Sequence, residues 1–329
     1  MIVKKDKVYV IVNFGGPRDL GEVEEFLVSL FNDREVIRTN FPALIHRWLF
    51  TWAAKKRSKQ VSHDYVLIGG KSPIFEDTEQ VARVVSKLVG SSVLTFHRYL
   101  PKTHPAFLAA MEQIAEDKEI VVFPMFPQFS YATTGSIASW FEERIPPARV
   151  RQMVWVKSYS THPLFLACFE QIIHSCLKHH QWEEDKTVLL FSAHGVPVSF
   201  ITTGDVYQKE CEQSFLALAS RFPQAFSQLS YQSQLGKAEW IKPSTASLCT
   251  TIHEWALGYQ NVLVIPLSFT SDHIETLYEV EKQYLPPLEA CGFKAARCPA
   301  LNLSESWLKA IASMMQEDYS TSTYMLLRH

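Results

Sequence analysis

Cysteine is sparse in this sequence, and the cysteines are not spaced as in a zinc site or a disulfide framework. The six cysteines are Cys168, Cys176, Cys211, Cys249, Cys291 and Cys298, and no two of them form a CxxC pair. This pattern excludes a zinc-ribbon site and a small disulfide framework. We therefore expect free thiols in a reducing compartment.

An excess of charge of one sign is also missing. Lys plus Arg number 32 and Asp plus Glu number 34, which gives a formal net charge of −2. Proteins that bind nucleic acids normally carry a clear basic excess, because they neutralise phosphates. The balance predicts that this chain has no nucleic-acid partner.

The sequence has no apolar run of the length that a membrane span needs. The apolar run near the N-terminus, Val8–Phe14, stops at Gly15. It is too short for a membrane span or for the core of a signal peptide, and no small-residue cleavage site follows it. We expect a soluble, cytoplasmic protein, and peripheral contact with a membrane is left open.

Short apolar runs rich in Val, Ile and Phe are the main pattern that the sequence does contain. Continuous runs of this kind are typical of strands buried on both faces of a parallel sheet. Segments with a helical period lie between them, and this alternation predicts an α/β doubly wound fold. The predicted strands are Val8–Phe14, Val93–Phe96, Ile120–Phe126, Met153–Val156, Val188–Phe191, Leu229–Gln232 and Val262–Phe269. The predicted helices are Leu20–Leu30, Thr78–Leu88, Pro105–Ile114, Pro163–His174, Val206–Arg221 and Ser304–Met315.

A proline interruption and a weak internal sequence similarity indicate that the chain has two similar halves. Pro146 and Pro147 interrupt the chain, and a new strand begins soon after them. The segment at 120–130 resembles the segment at 262–272, because each runs from a strand through proline into a polar loop. Ligands of such sheets bind at the carboxyl ends of the strands, so a cleft formed by both halves would collect these loops.

One histidine stands at such a strand end. His194 follows an apolar strand, and Gly195 and Pro197 fix a turn after it. Such a histidine can accept a proton near neutral pH or bind a metal. The alternative is a histidine that only bonds a neighbouring loop.

A row of acidic residues follows the strand Val262–Phe269. Asp272, Glu275 and Glu279 are spaced three and four residues apart, which places them on one helical face, and His273 lies among them. A partly buried row could accept protons or hold a hard divalent cation. Helix capping by Asp272, or a solvated acidic face, is the alternative.

Two further segments are open to more than one interpretation. The turn at Gly15 and Gly16 lacks the spacing of a nucleotide-binding loop, and its glycines would let the backbone approach a flat ligand or would only form a tight turn.

The segment Phe41–Lys59 is apolar and aromatic in its first part and basic in its last part. It fits a helix at a membrane surface, a lid over an apolar ligand, or an ordinary core helix.

Nine segments along the chain form a recognisable series, which are VNFGGP at 12–17, EVEEFLVSLFND at 22–33, GGKSPI at 69–74, HRYLP at 97–101, FPQFSYATTGS at 126–136, SAHGVP at 192–197, GDVY at 204–207, YQSQLGKAEWIKPST at 231–245 and SFTSDHIETLYEVE at 268–281. In these segments and in their order, the chain as a whole resembles the ferrochelatase family. The family implies two Rossmann-like domains with parallel sheets flanked by helices and an active-site cleft between them. We place the first domain at 1–152 together with a returning C-terminal helix at 310–329, and the second at 153–309.

The resemblance also implies roles for individual residues. The family's active-site histidine falls on His194 and its opposing glutamate on Glu275, with His273 beside it; His194 and Glu275 are also the expected metal ligands. Asp272 and Glu279 fall on the family's acidic relay, which lies on a π-helical turn. The expected porphyrin-binding residues are Phe14, Arg98, Ser130, Tyr131 and Phe269, and Arg98 would hold a propionate.

The implied activity is insertion of Fe(II) into protoporphyrin IX to form haem, with ferrous iron and porphyrin as substrates and no permanently bound cofactor. Many relatives have Met where this chain has Phe14, and some have a carboxylate where it has Gln283. Some relatives hold an iron–sulfur cluster near the C-terminus, but the last cysteine here is Cys298, so we expect no cluster.

We expect a monomer. The alternatives are a coproporphyrin III or other tetrapyrrole chelatase, a non-catalytic haem carrier, and a two-lobed small-molecule-binding protein.

Overall fold

The computed structural model describes residues 6–234, 236 and 238–328. Leu235 and Lys237, which belong to one of the segments that carry the family resemblance, lie outside the described residues, as do 1–5 and 329 at the ends of the predicted first domain. The chain divides into two compact units. The first comprises the residues up to Ser158 together with those from Leu308 onward, and the second runs from Tyr159 to Trp307. The predicted boundaries at 152/153 and 309/310 stay a prediction.

Strands and helices alternate along the described chain. The strands are β1 (Lys7–Asn13), β2 (Val93–His97), β3 (Glu119–Pro124), β4 (Met153–Trp155), β5 (Thr187–His194), β6 (Phe226–Gln232), β7 (Asn261–Pro266), β8 (Lys294–Arg297) and β9 (Thr321–Ser322). The α-helices are α1 (Val23–Phe31), α2 (Ala43–Val66), α3 (Ile74–Val89), α4 (His104–Glu112), α5 (Ser136–Arg144), α6 (Pro147–Val150), α7 (Pro163–His180), α8 (Val198–Thr202), α9 (Tyr207–Ala219), α10 (Thr245–Thr250), α11 (Ile252–Trp255), α12 (Leu285–Ala290) and α13 (Glu305–Met315). Two π-helices span Tyr131–Gly135 and Glu275–Tyr284. Short 3₁₀ turns cover Leu20–Glu22, Pro101–Thr103, Glu184–Lys186 and Thr323–Leu326.

The sheet of the first unit has the strand order β2-β1-β3-β4-β9. The first four strands are parallel, and β9 pairs antiparallel with β4 at the edge, with Trp155 opposite Thr321. The centre of β1 and of β3 is fully buried, from Val10 to Val12 and from Ile120 to Phe123. These are the residues that the apolar runs supplied, which confirms the prediction of strands covered on both faces.

The sheet of the second unit has the order β6-β5-β7-β8, and all of its pairs are parallel. One side of β5 and β7 packs against α10, α11, α12 and the Glu275–Tyr284 π-helix around a fully buried cluster that includes Val188, Val264, Val280 and Leu288. Because Val280 belongs to the π-helix, that helix is fixed to the sheet by its apolar face. The α/β class with parallel sheets flanked by helices is confirmed.

No helix in the described part of the chain is long and apolar enough to cross a membrane. All six cysteines are free, as expected.

Candidate active site

Three neighbouring strand ends of the second unit bring the candidate residues together. Strand β5 ends at His194, β6 ends at Gln232, just before Ser233, and β7 leads through a loop to the Glu275–Tyr284 π-helix. Since these strands are parallel neighbours, their carboxyl ends lie at one edge of the sheet. The chain stays close to β6 just after β5 ends, because the amide of Gly195 donates to the carbonyl of Gln232 at 2.8 Å. A Cβ at Gly195 would lie only 2.7 Å from that oxygen, which explains the glycine.

His194 and Glu275 are in direct contact. The Nδ1 atom of His194 lies 2.7 Å from Oε2 of Glu275, and the two side chains are 39% and 24% exposed. When Nδ1–H donates to the carboxylate, the neutral ring carries its free lone pair on Nε2. The carboxylate thus selects a tautomer in which the second nitrogen can accept a proton. The carboxylate of a catalytic triad orients its histidine in the same way.

His273 and Phe269 lie beside this pair. The Nε2 atom of His273 is 3.8 Å from the same Glu275 oxygen. The Phe269 ring packs against the His273 ring at 4.7 Å between centroids and lies edge-on to His194 at 6.3 Å. The structure therefore brings together four of the predicted residues, which are His194, Glu275, His273 and Phe269.

The pKa values within this group are pushed in opposite directions. Burial alone would raise the pKa of the Glu275 carboxyl, but His194 and His273 outweigh it and hold that pKa well below its usual range. Burial lowers the pKa of His194, and the charge and hydrogen bond of Glu275 overcome this effect, so the net pKa is raised. Burial, followed by the charge of Glu275, raises the pKa of Glu279 to about 7. Divergent pKa values among adjacent groups are characteristic of acid–base sites.

Ser233 connects the two carboxylates. Its Oγ lies 3.2 Å from Oε2 of Glu275 and 2.6 Å from Oε2 of Glu279, and the hydroxyl of Tyr284 donates to the same Glu279 oxygen at 3.2 Å. Ser233 takes a φ of 63°, in the left-handed region that non-glycine residues rarely adopt. Such a backbone persists only where its surroundings fix it, and it recurs at functional sites. The hydroxyl gives Glu275 and Glu279 a hydrogen-bonded connection.

The acidic row lies on a π-helix, as the family resemblance implied. The helix spans Glu275–Tyr284, and α12 begins directly after it with Pro286 and Pro287 in its first turn. Proline has no N–H to continue a backbone ladder, which limits the π-helix at this end. Residue spacing alone predicted a helix that starts at Asp272, and the structure begins it at Glu275 instead.

Asp272 does not join the row. Its Oδ1 accepts from Nη1 of Arg297 at 2.7 Å and from the hydroxyl of Thr276 at 2.8 Å, and its Oδ2 accepts from Nδ2 of Asn302 at 2.8 Å. Arg297 also donates to Glu281 at 2.9 Å. Asp272 and Arg297 thereby brace the start and the middle of the π-helix through side chains, and Asp272 does not cap it, because no side chain caps this helix. A part for Asp272 in a relay stays a prediction.

The predicted porphyrin residues of the first unit form a separate set of contacts. Arg98 donates through Nη2 to Oδ2 of Asp33 at 2.8 Å and through Nε to the hydroxyl of Ser136 at 3.0 Å. The hydroxyl of Tyr99 donates to the same Asp33 oxygen at 2.9 Å. The guanidinium is thus engaged by a buried carboxylate, and a propionate on Arg98 would share it with Asp33.

Phe14, Ser130 and Tyr131 belong to aromatic and capping contacts. The Phe14 ring lies 5.0 Å from the ring of Tyr99 and 4.7 Å from that of Phe126. The hydroxyl of Ser130 accepts from the amide of Ala132 at 3.1 Å, and this contact caps the Tyr131–Gly135 π-helix. Their roles toward a porphyrin stay predictions.

The glycine turn after β1 is filled by the chain itself. A Cβ at Gly16 would lie 2.4 Å from the hydroxyl oxygen of Ser72, and one at Gly15 would lie 3.0 Å from the Cβ of His97. The missing side chain of Gly16 leaves room for Ser72, which agrees with the alternative of a tight turn. Approach of a flat ligand to the backbone at Gly15 and Gly16 stays a prediction.

Four residues of these networks escaped the sequence analysis, namely Ser233, Tyr284, Arg297 and Asp33. Ser233 was recognisable in principle, because it directly follows a predicted strand. The partners of Arg297 and Asp33 are 25 and 65 residues away along the chain, and no local pattern marks them. Within the described chain, no three His, Cys, Asp or Glu side chains are grouped as a ready metal site.

Comparison with solved structures defines the class of fold. CbiX, the terminal enzyme of sirohaem biosynthesis in denitrifying bacteria, matches with a TM-score of 0.52 at 14% identity over 95% of this chain and 100% of its own. DR2241 of Deinococcus radiodurans, a multi-domain protein with structural similarity to chelatases, matches with a TM-score of 0.56 at 11% identity over 97% of this chain and 57% of its own. The fold is that of the chelatases.

Sequence comparison then gives the family. The ferrochelatase family model matches residues 7–319. The ferrochelatase of Chlamydia caviae is 42% identical over 94% of this chain and 95% of its own length, and that of Chlamydia abortus is 39% identical over 97% and 98%. The chain belongs to the ferrochelatase family. Its reaction class is therefore metal insertion by a chelatase, with iron and a porphyrin as substrates in haem biosynthesis.

Proposed function

We propose that this protein inserts Fe(II) into protoporphyrin IX and releases two protons, a lyase reaction that completes haem biosynthesis. The observation that carries the proposal is the contact of His194 with Glu275, which continues through Ser233 to Glu279. A porphyrin must lose two pyrrole protons as it takes up a divalent cation. This group offers a proton acceptor, an ionised carboxylate and a second carboxyl with a pKa of about 7.

Each side chain has a proposed role. His194 accepts pyrrole protons on Nε2, the nitrogen that does not face Glu275, and this side chain is accessible at 39% exposure. Glu275, with His273 beside it, stabilises the protonated ring of His194 and can contact the incoming metal. Glu279 takes the proton onward through the hydroxyl of Ser233. We assign Asp272 to holding the π-helix rather than to the relay, because its oxygens are occupied by Arg297, Asn302 and Thr276.

Binding of the macrocycle is assigned to the aromatic and polar residues named above. Phe269 offers a ring face next to His194 and His273. In the first unit we assign Phe14, Ser130 and Tyr131 to the porphyrin and Arg98 to a propionate, with a charge-assisted hydrogen bond. Binding energy from the periphery of the ring can distort its centre by a few kcal/mol, which favours metal entry.

Protoporphyrin IX is favoured over coproporphyrin III by charge. Coproporphyrin III carries twice as many propionates and would need more cationic partners. Among the residues assigned to the porphyrin above, Arg98 is the one cation, and it already shares its charge with Asp33. A single shared cation in this set supports the less carboxylated ring.

We also propose peripheral membrane contact through helix α2. Leu44, Trp48 and Trp52 recur at every fourth residue and therefore share one face, with 82%, 72% and 57% of their surface exposed. The ammonium of Lys56 lies 5.4 Å from the Trp52 ring, and Arg57 and Lys59 follow. Apolar aromatic residues flanked by basic ones suit an interface with anionic lipid. Co-sedimentation with vesicles that contain phosphatidylglycerol, compared with purely zwitterionic vesicles and with Trp48→Ser, tests this contact.

The proposed reaction is tested by anaerobic turnover of Fe(II) with protoporphyrin IX and coproporphyrin III in parallel, followed by absorbance. We expect insertion into protoporphyrin IX with the higher kcat/KM. Faster insertion into coproporphyrin III would overturn the choice of substrate. Binding of haem without turnover of either ring would identify a carrier, and activity with another metal or tetrapyrrole would identify a different chelatase.

The oligomeric state and the absence of a bound cofactor stay predictions. Ultracentrifugation of the purified protein tests the monomer, and metal analysis tests the absence of a cofactor.

A further inference from the structure

Two cysteines distant in sequence face each other beside the brace of the π-helix. Cys176 lies on α7, and Cys298 follows β8 directly. Their sulfur atoms are 3.7 Å apart although 122 positions separate them along the chain. Both thiols are free. A disulfide requires an S–S distance of about 2.05 Å, so closing the bond needs a small approach of the two segments.

The two thiols differ in access and in acidity, in the way that a redox pair requires. Cys298 is fully buried, whereas Cys176 is partly exposed and can meet a small reagent. The contact with Cys298 and the nearby charge of Arg297 lower the pKa of Cys176 despite its burial. The contact with Cys176, together with burial, raises the pKa of Cys298. The thiolate therefore forms at the accessible sulfur, and the buried thiol is placed to resolve an adduct formed there.

We propose that Cys176 and Cys298 form a reversible disulfide in exchange with a small-molecule disulfide such as oxidised glutathione. The Cys176 thiolate attacks one sulfur of the reagent, which breaks the reagent's S–S bond and releases one glutathione thiolate. Cys298 then attacks the Cys176 sulfur, loses its proton and displaces the second glutathione. The two protein thiols are oxidised, one protein S–S bond forms, and the reagent is reduced to two thiols.

The disulfide would act on the candidate active site through Arg297. This residue precedes Cys298 and donates to Asp272 at 2.7 Å and to Glu281 at 2.9 Å, at the start and in the middle of the π-helix segment. Drawing Cys298 toward α7 displaces the backbone that carries this guanidinium. The π-helix bears Glu275 and Glu279, so their position depends on the brace. This second step rests on the proposed function, whereas formation of the disulfide does not.

The chemical step is tested on the metal-free full-length protein. It is incubated with oxidised glutathione, alkylated with N-ethylmaleimide, digested and analysed by mass spectrometry. We expect a Cys176–Cys298 linked peptide pair that dithiothreitol removes. Cys176→Ser should abolish the pair, with Cys176→Ala as a second variant should the serine variant fold poorly. Cys291→Ser, at an exposed cysteine, should keep it. A Cys176 that stays alkylatable, a lasting glutathione adduct on it, or a bond to another cysteine would overturn the proposal.

The coupling to the site is measured on the same samples. We expect the oxidised parent to lose at least fivefold in iron-insertion rate and to recover it with dithiothreitol. Cys176→Ser should have parental activity before oxidation and keep it afterwards. A fully linked protein with unchanged turnover would overturn the coupling but not the disulfide. Reduced protein without any insertion activity would instead count against the proposed function, since the peptide analysis does not depend on it.

Discussion

The Nδ1 atom of His194 lies 2.7 Å from Oε2 of Glu275, and this contact orders the rest of the candidate site. It directs the second ring nitrogen away from the carboxylate and raises the pKa of the imidazole against the effect of burial. Ser233 extends the contact to Glu279, so hydrogen bonds connect His194 with Glu279 through Glu275 and Ser233, the route that the proposed mechanism uses for protons.

Replacing His194 by alanine should abolish metal insertion and leave the fold intact. A general base contributes roughly 10²- to 10⁴-fold to a rate, so the loss should be at least 10²-fold in kcat. The matched control is His253→Ala, because His253 is an exposed histidine of the same unit with a side chain that is 62% accessible. Circular dichroism verifies folding in both variants. Full activity in a folded His194→Ala protein would remove this residue from the mechanism.

Replacing Glu275 by glutamine should lower the pKa of His194. The amide oxygen can still accept the Nδ1–H hydrogen bond, but the negative charge that favours the protonated ring is gone. An NMR titration of the imidazole should show this fall in the pKa of His194. Glu254→Gln, which alters an exposed carboxylate beside His253, should leave the His194 titration unchanged. An unaltered His194 pKa in Glu275→Gln would show that the carboxylate does not control it.

Replacing Glu279 by glutamine should stabilise the protein at alkaline pH. The pKa of this carboxyl is raised from 4.5 to about 7, so the folded protein keeps a proton that the unfolded chain has lost in that interval. The stability that this group contributes is complete below about pH 4.5 and is lost as the pH rises through about 7. The neutral amide avoids this loss.

Thermal unfolding measured at two pH values tests this direction of the pH dependence of stability. We expect the midpoint of Glu279→Gln to exceed that of the parent by several degrees at pH 8, and the difference to shrink at pH 5. Iron insertion should decrease in the same variant, because an amide cannot take up the proton. Glu289→Gln, at an exposed position on α12, should show neither effect. An equal gain at both pH values would contradict a raised pKa.

Much of the fold was predictable because its central strands are buried on both faces. The run Val188–Phe191 lies within β5, in which every residue before His194 is buried, and such a strand shows in the sequence as a continuous apolar run. Strand β8, with the sequence KAAR, was missed because only Ala296 of it is buried. Strand β9 was missed because two residues carry no period, and its existence depends on pairing with β4.

The candidate site was predictable where chemistry-bearing side chains directly follow a strand. His194 met that condition. The spacing of Glu275 and Glu279 indicated a shared face, and in the structure the hydroxyl of Ser233 contacts both carboxylates. The partner of Asp272 could not be found in this way, because Arg297 arrives from another strand. A local pattern does not show which carboxylate in a row is neutralised by a distant cation.

The role of Arg98 is tested together with Asp33, because the two side chains form a buried ion pair at 2.8 Å. Arg98→Ala should raise the KM for porphyrin, since a charge-assisted bond to a propionate is lost, and should change kcat less. It should also destabilise the first unit, because removing one partner of a buried pair costs roughly 3–5 kcal/mol. A higher KM from this variant alone could therefore reflect a displaced loop.

The double variant Asp33→Asn/Arg98→Ala separates these effects, because it removes the orphaned carboxylate while the propionate partner stays absent. We expect it to regain most of the thermal stability and to keep the raised KM. The single variant Asp33→Asn, which frees the guanidinium of its competitor, should bind porphyrin at least as tightly as the parent. A double variant with parental KM would show that Arg98 serves only the architecture around Asp33, Tyr99 and Ser136.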